Sequence, residues 1–408
     1  MNAPVKEPAT GMAAEEPRPK VPLWLLASLT FSATLAMHIF VPALPQAARD
    51  LDAGVGAMQL TISLYIFGLA VGQLIYGPIA DRFGRRPTLI MGLSIYVIAS
   101  LAAAMTPSAD ALIVTRLFQA MGGCVGMVLG RTIIRDISSA QDSVRSLALV
   151  NLFITVGPAI APLIGGALSS TLGWRFIFVL LALLGVLNIM FTVWILPETR
   201  RAGGDNSGAT LARNYRSLIT SPAFLGYAIG GGCATTSMYA FIGVAPFVFI
   251  NELGRPAYEV GLYLALLVGG IWIGSIVVSR LIMRMPIRSL LIGGNLVSLA
   301  AALVLLGVVI SGHLTVSWVV GLMFLFLFGA GFAAPTAVTQ AVSVNPKVVG
   351  SASGLYGFAQ MSVGALCAAL AGLGSDPALA AALVLSGATA LAQVAFMIAQ
   401  RSGPAKAG

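Results

Sequence analysis

Apolar runs of about twenty residues, separated by short polar or basic stretches, recur along nearly all of this 408-residue chain. Twelve stand out, at 23–43, 59–79, 88–106, 110–130, 146–170, 175–196, 222–250, 259–280, 288–310, 314–335, 349–372 and 377–399. Each is long enough to cross a hydrocarbon core of about 30 Å as a helix rising about 1.5 Å per residue. The pattern predicts an all-α membrane protein of twelve transmembrane helices, called spans 1 to 12 below. The longest polar connection, 197–221, carries Gly203-Gly204-Asp205-Asn206-Ser207-Gly208 and four arginines. It separates a first six-helix bundle, 23–196, from a second, 222–400, and leaves tails at 1–22 and 401–408. A short basic loop after span 2 has a counterpart after span 8, where Arg280, Arg284 and Arg288 recur. Two related halves around a site at mid-depth are the parallel-repeat layout of secondary transporters.

Composition adds the solvent. With 58% hydrophobic and 9% charged residues, against about 25% charged in a soluble domain, the chain calls for a lipid bilayer. Charge adds the orientation. The terminal segments and the loops after even-numbered spans hold 19 of the 23 Lys and Arg residues, which predicts that both termini are cytoplasmic in a bacterial inner membrane. The net charge of +9 is then topological, and no nucleic-acid partner is implied. Residues 1–22 lack periodicity and read as a disordered tail. The apolar run after them is too long for a cleavable signal core and reads as a retained anchor. Cys124, Cys233 and Cys367 fall in three different spans without metal-like spacing. No Gly-rich loop ending in Lys-Ser/Thr is present, so ATP is not the expected driver, and no cofactor or metal is implied.

Arg116 is the residue that most needs explaining. It sits inside the fourth apolar run, and no Asp or Glu lies at mid-depth in any run to pair with it. A cation at that depth costs at least about 2.5 kcal/mol and faces a wet cavity by default, so the reading is a helix bundle around a polar path. Gln119 shares its face at i, i+3, and Gly122, Gly123 and Gly126 permit close helix packing.

Between spans 2 and 3 the chain reads Gly77-Pro78-Ile79-Ala80-Asp81-Arg82-Phe83-Gly84-Arg85-Arg86. Asp81 is an acid among cations at a helix end. It is placed to pair with Arg82 or Arg135, or to cap span 11 near Gly350-Ser351, forming a gate that breaks as the halves move. This segment resembles the G-x-x-x-D-R-x-G-R-R signature of the major facilitator superfamily, which implies two pseudo-symmetric six-helix bundles and alternating access. Arg116-x-x-Gln119 is similar to that family's second motif, whose Arg is associated with proton coupling; Ala120 stands where the family often has Gly. Gly157-Pro158-Ala159-Ile160-Ala161-Pro162-Leu163-Ile164-Gly165-Gly166 in span 5 resembles the motif of its drug:proton antiporters, thought to seal the path. Each proline removes a helical N–H, so a kink with a small-residue face is expected there. Val41-Pro42-Ala43-Leu44-Pro45, Gly173-Trp174-Arg175, Leu196-Pro197-Glu198-Thr199, Ala240–Phe247 and Gly350–Gly354, in this order, look like the bicyclomycin- and chloramphenicol/florfenicol-resistance type.

The chain departs from that type at one place. The resemblance implies an Asp four residues before the first proline of the span-1 pattern; here it is His38, with Phe40 at the aromatic position. His38 is the only histidine inside a span. It is read as a proton carrier, as a hydrogen-bonding partner for cargo, or as a packing residue. One fixed cation without a mid-depth carboxylate favours neutral or anionic amphiphiles over lipophilic cations. Met37, His38, Phe40, Tyr65, Arg116, Met127, Phe153, Met238, Tyr239 and Phe241 are candidates to line the cavity. The expectation is a monomeric, proton-coupled exporter of small molecules; the rival on the same scaffold carries one metabolite. An intramembrane enzyme would need clustered His, Glu or Cys, and a channel repeated polar rings. Neither is seen.

Overall fold

The computed structural model describes residues 21–137, 140–199 and 208–402, and within these it is helical, with no strand. Spans 1 to 4 occupy Leu23–Asp50, Val55–Phe83, Arg85–Ala104 and Ala109–Ile137; span 6 is Trp174–Ile195. Spans 7 to 12 occupy Pro222–Glu252, Ala257–Leu281, Ile287–Ile310, Val316–Ser343, Val349–Ala371 and Pro377–Ser402. Span 5 belongs to the 32-residue helix Ala140–Thr171, with Val156–Thr171 as an apolar portion. Large apolar side chains such as Ile98, Trp194 and Ile310, at 67%, 72% and 70% exposure, point outward where a bilayer supplies their solvent. The expected tails at 1–20 and 403–408, and 200–207 of the connection, lie outside the described residues.

Several helices outrun their apolar stretches. Span 2 continues through Asp81 to Phe83, span 4 to Ile137 and span 10 to Ser343, because backbone hydrogen bonding does not stop where the hydrocarbon does. Span 1 does not end at its Val41–Pro45 pattern. A 3₁₀ turn at Val41–Ala43 interrupts it, and a helix with Pro45 near its start continues over Leu44–Asp50. Prolines without N–H groups fit such positions. Span 7 is broken similarly, by a turn at residues 236–238 between Pro222–Thr235 and Tyr239–Phe247. The first span of each half is therefore bent. The connection 197–221 contains the helix Gly208–Ile219, resting on spans 7 and 11.

The packing repeats. In the first half, span 4 packs on spans 2 and 3, span 6 on span 3, and span 1 on spans 4, 5 and 6. Adding six to each number describes the second half: span 10 on 8 and 9, span 12 on 9, and span 7 on 10, 11 and 12. Span 2 meets span 11 and span 5 meets span 8 where the halves join, a pair of contacts that exchange under the same operation. The tightest crossings use glycine. A Cβ on Gly122 would lie 2.6 Å from the Gly92 carbonyl oxygen and would collide with the Tyr96 nitrogen, so nothing larger fits between spans 3 and 4.

Candidate functional site

Arg116 is fully buried, and its hydrogen-bond and cation–π partners come from the first half. One Nη donates to the Ala36 carbonyl of span 1 at 3.0 Å and to Gln119 Oε1 at 2.5 Å. Gln119 in turn donates to Ser100 Oγ on span 3 at 2.8 Å. The guanidinium lies 4.0 Å from the ring centroid of Tyr65, 5.6 Å from that of Phe40 and 5.8 Å from that of Phe178. Such a desolvated cation–π contact is worth about 2 kcal/mol. Nε and the second Nη have no hydrogen-bond partner. The expectation of a guanidinium facing a wet cavity is thus not met in this conformation. Aromatic faces, a carbonyl and an amide supply the negative potential that water and cargo were expected to supply.

His38 lies two residues along span 1 from Ala36. Its Nδ1 lies 2.9 Å from the Thr34 carbonyl. A carbonyl only accepts, so Nδ1 carries the hydrogen of the neutral ring and Nε2 keeps its lone pair. Nε2 is buried with no partner. The ring sits 6.2 Å from that of Tyr239, on span 7 of the other half.

The halves close on each other from this depth toward the end that is poor in Lys and Arg. Gln59 of span 2 sits between Gly243 of span 7 and Gly372 after span 11, where a Cβ on Gly243 would collide with its amide and one on Gly372 would lie 2.8 Å from its own Cβ. Its Nε2 donates to the Tyr239 carbonyl at 3.4 Å. Ser63 donates to the Ala365 carbonyl at 2.9 Å. A Cβ on Gly261 would lie 2.7 Å from the Pro162 carbonyl oxygen, which joins span 8 to span 5. At the basic end, Gly77 and Gly350 have nothing within 4 Å of a would-be Cβ.

The span 5 pattern lies in a continuous helix that contains Pro158 and Pro162. Its glycines press on span 1: a Cβ on Gly157 would lie 3.1 Å from Phe31 and Thr34, and one on Gly165 would overlap the Ile39 carbonyl. Gly166 is also buried. The small-residue face therefore packs on the span that carries His38, and Pro162 faces the other half.

At the basic end Asp81 pairs with Arg85 at 2.6 Å, a partner the sequence reading did not name, and Arg85 also meets Asp136 at 3.2 Å. Arg82 is exposed. Glu198, after span 6, accepts the backbone N–H groups of Arg85 and Arg86 at 2.8 and 3.2 Å, neutralising the positive start of span 3. Gly84 precedes that start at φ +99°, and a Cβ there would lie 2.6 Å from the Glu198 carboxylate. Arg86 donates to the Val193 carbonyl at 2.6 Å.

The candidate lining residues divide. Phe40 and Tyr65 enclose Arg116; Phe241 packs on Phe249 within the second half, at 6.3 Å between centroids. Met37 is buried, while Met127 and Met238 are partly exposed. The side chain of Phe153 lies outside the described residues. Gln59, Ser100 and Asp136 were not singled out from the sequence. Gln59 and Ser100 carried a usable signal, since a polar side chain inside an apolar run needs a partner.

Two pseudo-symmetric six-helix halves that meet through spans 2, 11, 5 and 8 define a membrane transporter rather than an enzyme. The profile of the Major Facilitator Superfamily matches residues 26–369, and the chain belongs to that family. Multidrug resistance protein D of Escherichia coli is 32% identical over 340 residues, covering 82% of this chain and 84% of that protein. The bicyclomycin resistance protein homolog of Haemophilus influenzae is 24% identical over 352 residues, covering 85% of this chain and 87% of that one. Among solved structures, an inward-facing, occupied bacterial homolog to the human lysosomal transporter Spinster aligns with a TM-score of 0.75 at 15% identity, covering 93% of this chain and 96% of that chain, a likeness of fold alone.

Proposed function

We propose that the chain is a proton-coupled antiporter of a bacterial inner membrane that exports neutral or anionic amphiphilic drugs by alternating access. The relatives named for multidrug and bicyclomycin resistance support the drug reading over carriage of one metabolite, as does the span 5 pattern. In this reading the basic end and both termini are cytoplasmic, residues 23–196 and 222–400 are the two moving bodies, 197–221 links them, and the monomer is the working unit. Toward the basic end Gln73 of span 2 still meets Gly357 of span 11, while Gly77 and Gly350 have space beside them. Export requires Gln59 to leave Gly243 and Gly372, and Gly261 to leave Pro162, as the opposite end opens. Asp81, Arg85 and Asp136 then act as the cytoplasmic gate together with Gly77, Arg82, Gly84 and Arg86.

The observation that carries the coupling role is His38 at the join of the halves, with Nε2 buried and unpartnered. A proton taken up on Nε2 from one side and released to the other would couple to the movement of Tyr239 across from it. Arg116 and Gln119 are positioning residues: Arg116 donates to the Ala36 carbonyl, in the stretch of span 1 that presents His38, and Gln119 accepts from the same Nη. The fixed positive charge behind His38, with no mid-depth carboxylate, disfavours cationic cargo. Proteoliposomes driven by a pH gradient should export a phenicol in preference to ethidium; better export of ethidium would refute the electrostatic argument.

A further inference from the structure

The two halves treat their basic ends differently. In the first half, Asp81, Asp136, Asp142 and Glu198 stand among the arginines, and Arg85 is held by two of these acids. From Gly208 to Ser402 the basic end carries Arg213, Arg216, Arg280, Arg284, Arg288, Lys347 and Arg401 and no acid at all; Glu252, Glu259 and Asp376 lie at the opposite end. Arg213 and Arg216 project from the helix Gly208–Ile219, and Arg280, Arg284 and Arg288 flank the turn between spans 8 and 9. All five are exposed, and none has a carboxylate partner among the described residues. Apolar side chains share this rim: Ile219, Met283 and Met285 are 50%, 86% and 44% exposed. On the same short helix Leu218 is buried beneath the surface that carries the arginines.

Exposed guanidinium groups beside exposed apolar side chains, at the mouth of a bundle already in lipid, match a phospholipid surface: phosphates for the first, acyl chains for the second. We infer that this rim of the second half is a docking surface for anionic phospholipid headgroups of the adjoining leaflet, with Arg213, Arg216, Arg280, Arg284 and Arg288 as the phosphate contacts. The helix Gly208–Ile219 also rests on span 11, with Tyr215 Oη 4.0 Å from where a Cβ on Gly354 would stand. Headgroups bound there anchor the second half while the first half, whose four acids offset part of its positive charge, moves against it. The inference stands independently of the cargo.

The test uses the full chain in nanodiscs holding equal amounts of phosphatidylglycerol and phosphatidylcholine, with retained lipids counted by native mass spectrometry. The wild type is expected to retain phosphatidylglycerol preferentially. Arg213→Gln with Arg216→Gln, both exposed and without an ion-pair partner among the described residues, should lower that preference about fivefold or more. All five arginines changed to Gln should abolish it, and all five changed to Lys should keep it. Arg255→Gln, at the opposite end, should leave it unchanged. Equal retention by the wild type, an unchanged preference in the Gln variants, or its loss in the Lys variant would overturn the inference. Displacement of the lipid by millimolar inorganic phosphate would assign the arginines to soluble phosphate instead and equally overturn it.

Discussion

The same helix crossing occurs twice in this molecule, with opposite chemistry. Gly122 of span 4 lies against the Gly92 carbonyl and the Tyr96 nitrogen, and Gly329 of span 10 against the Gly294 carbonyl and the Ser298 nitrogen. In that register Arg116, Gln119 and Ser100 of the first half correspond to Met323, Phe326 and Ala302 of the second, all buried. A hydrogen-bonded polar trio occupies one crossing and an apolar trio the other. Packing alone is therefore satisfied without the arginine, and its presence in one half points to work beyond packing. The apolar trio shows what this fold uses when only stability is at stake.

Exchanging the two chemistries separates these roles. Met323→Arg should have the largest effect. It buries a cation beside Phe326 and Ala302, which offer no side-chain acceptor, at a cost of at least about 3 kcal/mol. Loss of membrane-inserted protein on expression is the expected result, whereas normal yield would mean that the two crossings are not equivalent. Arg116→Met should insert and fold, since it reproduces the second half, yet show no proton-driven transport above background in vesicles. Retained transport would remove Arg116 from the coupling centre.

Smaller effects belong to the basic end, where the contrast between halves is one of ion pairing. Arg85→Ala leaves Asp81 and Asp136 without their shared partner and should destabilise the protein by about 2 kcal/mol, read as a lower thermal midpoint in detergent. Glu198→Gln keeps an acceptor at the start of span 3 but loses its charge, so a loss of about 0.5 kcal/mol is expected. An effect of Glu198→Gln as large as that of Arg85→Ala would show that the carboxylate does more than cap a helix.

The elements that report on single-residue energetics were legible without coordinates. Apolar runs separate membrane from water, so eleven spanning helices and the apolar portion Val156–Thr171 of span 5 could be read off the chain, and an arginine in hydrocarbon announces itself by its cost. Partners distant in sequence were not. Nothing near Arg116 in the chain indicates that Phe40, Tyr65 and Phe178 converge on it, and the wet cavity expected around it is in fact an aromatic enclosure. Asp81 had several arginines within reach, and choosing Arg85 needed the turn at Gly84. The Val41–Pro45 pattern read as the end of span 1 because prolines end helices more often than they bend them. Here a second helix follows. Gln59 was missed because its notch is built from Gly243 and Gly372, far along the chain.

The proposed coupling reduces to whether His38 carries the proton. Drug transport into proteoliposomes should be measured across a series of imposed pH gradients for wild type, His38→Ala and His38→Asp. Wild-type transport should rise with the gradient, His38→Ala should lose that dependence, and His38→Asp should regain it. A His38→Ala protein whose transport follows the gradient as the wild type does would contradict the account.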